Sequence, residues 1–199
     1  ALDNYASGIV KIINSTITLN TATQTARSGI WHESGTLTIA NSIVADNNGV
    51  NNCVITGTLT DNGGNLDNGT SCGFSGAVGQ NTNPQLGALA NNGGSTLTHA
   101  FLANSPAINA GVNAQALDQN GAALVYDQRG SGYPRISGGT VDIGAVEVVC
   151  PAFPYTVPGW DAASLILAIS CANATLANDV INLTNSTYTL TTESVFEVG

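Results

Sequence analysis

The densest group of charged residues in this sequence is Asp127, Arg129, Arg135 and Asp142. A carboxylate that exchanges protons beside an arginine that holds an anion is one arrangement that could cleave a polysaccharide. The alternative is structural, because the planar guanidinium of arginine pairs with carboxylates in a fixed geometry and can pin loops together. We favour the structural interpretation, since the group lies outside the repetitive part of the chain, and no catalytic residue is predicted.

Trp31, His32 and Glu33 are consecutive residues and form a second candidate site. Successive strand residues face opposite sides of a sheet, so these three side chains cannot all converge on one site. Trp31 could stack on a sugar if it is exposed, but a packing role is favoured, and a structural role is favoured for His99. The sequence contains no signature of a nucleophile elbow, a zinc protease, a phosphate-binding loop or a dinucleotide-binding loop.

Three acidic residues lie among asparagines and could bind Ca²⁺ through oxygen ligands: Asp46, Asp61 and Asp67. No regular calcium-binding nonapeptide is present, so a calcium site stays a secondary hypothesis. No other metal and no cofactor is predicted.

The charge balance excludes several classes of partner. Four basic residues face thirteen acidic ones, which gives a formal net charge of -9. Binding to nucleic acid relies on Lys and Arg, and so does binding to an anionic membrane surface, so neither is expected. No run of about 18 apolar residues occurs, and no membrane-inserted helix is predicted.

A repeat organises the first part of the chain. The string IINSTITLN at 12–20 resembles IANSIVADN at 39–47, and both place Asn at the third and ninth positions, 27 residues apart. A weaker third copy is NGGNLDN at 62–68. A period in the twenties is typical of a solenoid, and alternation of apolar with polar residues, as at Ile13, Ile17 and Leu19, is typical of strands. We expect two or three short strands per turn, with Asn or Gly at the corners.

The predicted fold is therefore all-β, a right-handed parallel β-helix with one short capping helix near 162–174. Repeated asparagines at one corner are expected to stack and to satisfy backbone groups. Three regions follow from the composition: β-helix rungs at 1–75, irregular closing rungs and loops at 76–149 (the closing segment), and a cap helix with new strands at 150–199. Asp161 is the predicted N-cap of the helix.

Four cysteines allow three disulfide pairings. We favour the two sequence-local pairs, Cys53 with Cys72 and Cys150 with Cys171; four buried free thiols are the alternative. Each pair would close a loop of about twenty residues and contribute roughly 3 kcal/mol in the chain-entropy model. Two disulfides would indicate an oxidising, extracellular compartment.

Two stretches carry a family resemblance. The strings NPQLGALANNGGSTLTHAFLANSPAINAG and DQRG…PR…GG…DIGAVE, within 81–147, resemble the choice-of-anchor Q module at the end of secreted bacterial β-helix proteins. Residues 153–190 are similar to the opening of such proteins, although the usual Arg-Glu in the helix is replaced by SLILAIS. The resemblance implies a secreted or cell-surface location and supplies no catalytic residues. The segment that resembles the end of such a protein comes before the segment that resembles the start of one. The resemblance therefore implies tandem β-helices, or a tail that starts the solenoid of a neighbouring subunit.

The functional prediction is a structural extracellular β-helix module, without catalysis, that stacks head to tail or in tandem into a fibre or surface rod. Four residues are predicted to lie on strands that join the next unit: Tyr188, Leu190, Val195 and Phe196. The alternatives are a polysaccharide-binding or polysaccharide-degrading protein and an adhesin for a surface partner.

Overall fold

The computed structural model describes residues 2–22, 29–48, 51–102, 104–173 and 178–189. The chain is an all-β parallel β-solenoid of about six turns with a short α-helix. The predicted parallel β-helix class is thus confirmed, while its handedness stays a prediction.

Short strands build the first three rungs and stack into three parallel sheets. The first rung contains β1 (Leu2–Asn4), β2 (Ile9–Ile13) and β3 (Thr16–Thr18), the second β4 (Ile30–His32), β5 (Thr36–Ala40) and β6 (Ile43–Ala45), and the third β7 (Cys53–Ile55), β8 (Thr58–Asp61) and β9 (Leu66–Asp67). Ile9 lies opposite Thr36, and Thr36 lies opposite Thr58. The first repeat is therefore 27 residues long, as predicted, and the second is shorter.

The corner asparagines stack between the first two rungs, as the repeat predicts. Asn14 and Asn41 both adopt positive φ, at 50° and 46°, and the Asn41 amide donates to Asn14 Oδ1 at 3.2 Å. The second pair also stacks, because the Asn20 amide donates to Asn47 Oδ1 at 2.9 Å. Asparagine tolerates the left-handed region better than most residues, and its amide can bond along the stack.

The third predicted copy, at 62–68, is out of register. Ile43 lies opposite Leu66, and the Ser42 N–H donates to Asn65 Oδ1 at 3.0 Å, so Asn68 does not fall opposite Asn47. Because the third rung is shorter than the second, the asparagine that bonds to the second corner is Asn65.

Alternate side chains of the strands fill an aliphatic core, which Phe74 and the Cys53–Cys72 disulfide close at the third rung. The cluster contains Ile12, Ile30, Leu37, Ile39, Val44, Cys53, Cys72 and Phe74. Ile17 packs against this cluster, as the alternation of apolar and polar residues predicts. The same alternation predicts that Leu19 points inward, and that prediction is wrong. That side chain is 62% exposed, because β3 ends at Thr18 and the chain turns through positive φ at Leu19.

Strand β6 is buried on both faces and is therefore shared by two cores. Val44 points into the solenoid, while Ile43 and Ala45 pack against a second cluster that includes Ala107 and Ile143 of the closing segment. A fully apolar strand is what burial on both faces requires.

The closing segment continues the solenoid only briefly. The Asp67 N–H donates to Gly79 O at 3.1 Å, so the chain adds an irregular turn beside β9, and an antiparallel hairpin of β10 (Leu86–Ala90) and β11 (Thr98–Phe101) follows. The remainder, including a 3₁₀ turn at Asn113–Gln115, lies along the side of the stack, where Asn41 Oδ1 accepts the Val112 N–H at 2.8 Å. The expectation that this segment closes one end of the solenoid stays a prediction.

The last region is a small parallel unit. Strand β12 (Tyr155–Val157) pairs in parallel with β13 (Ile181–Leu183), and helix α1 (Ala162–Asn173) connects them. The predicted helix is confirmed, and Asp161 caps it by accepting the Ser164 N–H at 2.9 Å. The second predicted disulfide, Cys150–Cys171, ties the helix to the end of the closing segment.

Candidate functional site

The residues of the predicted charge group come together, and a fifth residue, Glu147, joins them. Asp127 and Arg129 form a close ion pair, with Arg129 Nε and Nη2 3.0 and 2.6 Å from Asp127 Oδ2. The Arg129 guanidinium also lies over the Tyr133 ring, 4.0 Å from its centre, and donates to the Glu147 carbonyl. We call the five residues Asp127, Arg129, Arg135, Asp142 and Glu147 the charge cluster.

Arg135 is fully buried and binds backbone rather than the carboxylate expected from the sequence. Its Nη1 donates to Gly144 O at 3.0 Å and its Nη2 to Asp142 O at 2.6 Å. Its nearest carboxylate is that of Glu147, 3.7 Å from Nη2. Arg135 therefore contacts Asp142 through its backbone carbonyl and lies beside the Glu147 carboxylate.

The carboxylates of the charge cluster serve mainly as acceptors for backbone N–H groups. Asp142 accepts the N–H groups of Asn109 at 2.7 Å and Val148 at 2.6 Å. Glu147 accepts those of Ser137 and Asp142, both at 2.9 Å. These bonds join distant parts of the closing segment, which has few strands to satisfy its backbone.

The sequence interpretation missed Glu147. Its signal was present, because Glu147 ends the same DIGAVE string that contains Asp142. What the string cannot show is that both residues are buried.

Burial strongly affects the ionisation of the cluster. Burial raises the pKa of Glu147 to about 8, with repulsion from Asp142 as a further cause, and it raises the pKa of Asp142 to about 6. The backbone hydrogen bonds act in the opposite direction. Burial also lowers the pKa of Arg135, against the attraction of Glu147 and Asp142. Three carboxylates facing two guanidinium groups leave one negative charge without a counter-charge, which is costly in a buried place.

This geometry supports holding loops together better than it supports acid/base catalysis. Asp142 and Glu147 are almost completely buried, and each already accepts two backbone hydrogen bonds. A general acid or base must reach a substrate proton within hydrogen-bond distance. Neither carboxylate presents an oxygen to the surface for that purpose.

The residues around Trp31 alternate as predicted. His32 is fully buried, with Asn4 Nδ2 3.0 Å from its Nδ1, whereas Trp31 is only partly buried on β4. His99 bonds across the hairpin to Gly87 O at 2.7 Å, which is a structural role.

The acidic residues considered for Ca²⁺ accept hydrogen bonds that stabilise separate turns. Asp67 accepts the N–H groups of Gly69 and Cys72, and Asp46 pairs with the Asn68 amide. Burial acts to raise the pKa of Asp61, but hydrogen bonds from neighbouring groups, those of Ser75 the largest among them, outweigh it and lower the pKa. Among the described residues, no group of three or more His, Cys, Asp or Glu side chains is arranged to hold a metal ion.

The first rung presents an open edge. Within the described residues, β1, β2 and β3 each pair with a strand of the second rung and with no other strand. Their inward side chains Leu2, Val10 and Ile17 are partly exposed, whereas the residues opposite them in the second rung, Ile30, Leu37 and Val44, are completely buried. Within the described residues, the side chains of the first rung are thus less well covered than those of the second.

The parallel unit at the other end of the chain also exposes apolar side chains, namely Trp160, Val180 and Leu183. The Tyr188 hydroxyl lies 2.6 Å from Thr184 Oγ1 and donates to Val157 O at 3.2 Å, so it anchors the residues after β13 back onto β12. The other predicted assembly residues, Leu190, Val195 and Phe196, lie outside the described residues.

No helix in the described part of the chain is long and apolar enough to cross a membrane. The two disulfides are compatible with an extracellular protein. Comparisons of this chain with protein-family models, with curated proteins and with solved structures find no match. The resemblance to the choice-of-anchor Q module therefore stays a prediction, and the parallel β-solenoid is what is established.

Proposed function

We propose that this chain is a structural β-solenoid module of an extracellular or cell-surface protein, that it has no catalysis of its own, and that it assembles head to tail into a rod or fibre. The way in which successive rungs stack carries this proposal. Three parallel sheets each gain one strand per rung, and within the described residues the outer edge of the first rung has no strand paired with it.

Strand addition would meet both needs of this edge. An added strand pairs with the outward N–H and C=O groups, and its apolar side chains cover those of the first rung. The receiving surface differs from the donating surface, so the contact does not close on itself and generates a fibre. The same contact within one longer polypeptide would give a tandem array.

The donor in this proposal is the region after β13. Its neighbour β12–β13 is already a parallel pair with exposed apolar residues, and the chain continues beyond Tyr188 with the apolar residues predicted to form the assembly strand. The two disulfides fit an oxidising location, where they add stability without a partner.

The edge can be blocked at Lys11 without disturbing the solenoid. Gly8 O accepts the Thr36 N–H, and the Asn14 N–H donates to Ala40 O, so both residues face the second rung. Backbone groups alternate in direction along a strand, and Lys11 is three residues from each, so its N–H faces outward. Lys11→Pro removes this outward donor, and Lys11→Thr is the matched control that keeps it.

We expect the wild-type protein and Lys11→Thr to form rods visible by negative-stain electron microscopy and to sediment as large species, with more assembly as salt screens the charge of -9. Lys11→Pro should sediment as a monomer with an unchanged circular dichroism spectrum. Ile9→Pro, which removes the outward donor two residues away at the first residue of β2, should do the same if the Lys11 variant does not fold. A wild-type protein that stays monomeric at high micromolar concentration contradicts the proposal.

Removing residues 190–199 tests the donor separately, because it leaves β13 and its pairing with β12 intact. We expect the shortened protein to lose self-assembly. It should still bind as an end cap to rods whose donor tails are free, because its own first-rung edge is unchanged. Rods that grow normally from the shortened protein would show that the donor lies elsewhere.

A further inference from the structure

A groove lies between the first corner of the solenoid and the closing segment. It has a volume of about 350 Å³, and its walls include Ile13 and Asn14 on one side and Leu124, Tyr126 and Gln128 on the other, with Arg135 also in the lining. This size is within the range of small-molecule sites in proteins.

The lining combines an exposed aromatic side chain with apolar and amide groups. Tyr126 is 46% exposed, Ile13 and Leu124 are apolar, and Asn14 and Gln128 carry amides. The NH2 group of Asn14 already donates to backbone carbonyls and that of Gln128 to Thr96 Oγ1. A sugar ring has an apolar face that packs on an aromatic ring, and its hydroxyl groups can donate to the amide oxygens.

Arg135 supplies an independent reason to expect a ligand oxygen here. Its Nη1 and Nη2 both bond to backbone carbonyls, but its Nε is buried and has no hydrogen-bond partner. A buried donor without an acceptor is costly, and a ligand oxygen in the groove would remove that cost only when the atoms that cover Nε move aside.

The charges around the groove favour an uncharged ligand. Both oxygens of Asp127 accept hydrogen bonds, from Arg129 and from the Glu147 N–H, so neither is open to a cation. The charge of Arg135 is already opposed by Glu147, and the chain as a whole is strongly acidic, which repels anions. We propose that this groove binds a neutral pyranose unit of a glycan, with Tyr126 as the stacking platform and Arg135 Nε as the inner donor. This proposal does not depend on self-assembly.

The test is a titration of the monomeric Lys11→Pro protein, or of wild-type protein if that is monomeric, followed by NMR. The probes are maltotetraose, cellotetraose and chitotetraose, with tetragalacturonate as the anionic comparison. We expect saturable shifts of the Tyr126 and Gln128 resonances with at least one neutral probe and none with tetragalacturonate. Tyr126→Ala should weaken binding about tenfold, equivalent to about 1.4 kcal/mol.

Val125→Ala is the matched control. Val125 adjoins Tyr126, is 67% exposed and lies outside the groove lining, while its carbonyl accepts the Arg135 backbone N–H in either variant. It should bind like the unsubstituted protein. The proposal is overturned if no neutral probe saturates at millimolar concentration, if only tetragalacturonate binds, or if Tyr126→Ala and Val125→Ala bind equally.

Discussion

The solenoid rungs and the closing segment both bury apolar side chains, but they satisfy their backbone in different ways. In the rungs, each strand bonds to the strand one turn away. In the closing segment, buried carboxylates such as Asp142 and Glu147 accept the N–H groups of neighbouring loops. Since buried backbone groups need partners, an irregular chain path depends on polar side chains that a repeating path can omit. Charges that suggest catalysis in the sequence have this structural use here.

The largest effect that would sharpen this comparison is expected from Glu147→Ala. It leaves the N–H groups of Ser137 and Asp142 without an acceptor and removes the nearest carboxylate from Arg135. A buried N–H group left without an acceptor costs about 1–3 kcal/mol, so losing the acceptor of two such groups should cost about 2–6 kcal/mol. The free energy of unfolding in urea measures it, and Glu33→Ala, at an exposed carboxylate, is the control with little expected change.

A second comparison sets two rungs against each other. Leu37 is completely buried and lies opposite Val10, which is only partly buried on the open edge. Leu37→Ala should cost about 3 kcal/mol in urea unfolding, while Val10→Ala should cost clearly less in a monomer. Equal losses in the monomer would mean that the first rung is as well covered as the second.

Substitution of a corner asparagine is expected to have an intermediate effect on stability. Asn41→Ala removes the acceptor of the Val112 N–H and the bond to Asn14, and it places alanine at positive φ, so we expect a loss of about 2 kcal/mol. Asn41→Gly accepts the same φ and should recover part of that loss. If glycine recovers all of it, the stacked amide contributes nothing to stability.

The smallest effect is a gradual dependence on pH. The folded pKa values of Asp142 and Glu147 are raised above their ordinary values, so the protonated forms favour the folded state. Their contribution is complete below about pH 4 and is lost as pH rises through about 6 and then 8. The free energy of unfolding should therefore fall gradually as pH rises across this range. Glu147→Gln should flatten the part of this slope near pH 8, and a slope of the opposite sign would contradict the assignment.

Features that depend on local repetition could be predicted from the sequence. Asn14 and Asn41 recur because each corner of a parallel stack meets the same corner one turn later, and the capping residue Asp161 is followed directly by its helix. The disulfides followed from sequence proximity, since Cys53 and Cys72 enclose a short loop.

Features that depend on the length of a rung or on distant loops could not be predicted from the sequence. The third corner was misplaced because the pairing of Ile43 with Leu66 is fixed by a shorter rung, which spacing alone does not reveal. The partners of Asp142 could not be predicted, because they are backbone N–H groups of Asn109 and Val148, whose positions depend on the folded path.

The double burial of β6 has a consequence for how this molecule unfolds. Solenoids are often quasi-one-dimensional, so that end rungs fray while the middle stays folded. Here Val44 belongs to one core and Ile43 to the other, so the strand cannot detach from either without exposing both. Strand β6 therefore couples the second rung to the closing segment. Heat should unfold the two together in a single cooperative transition rather than rung by rung.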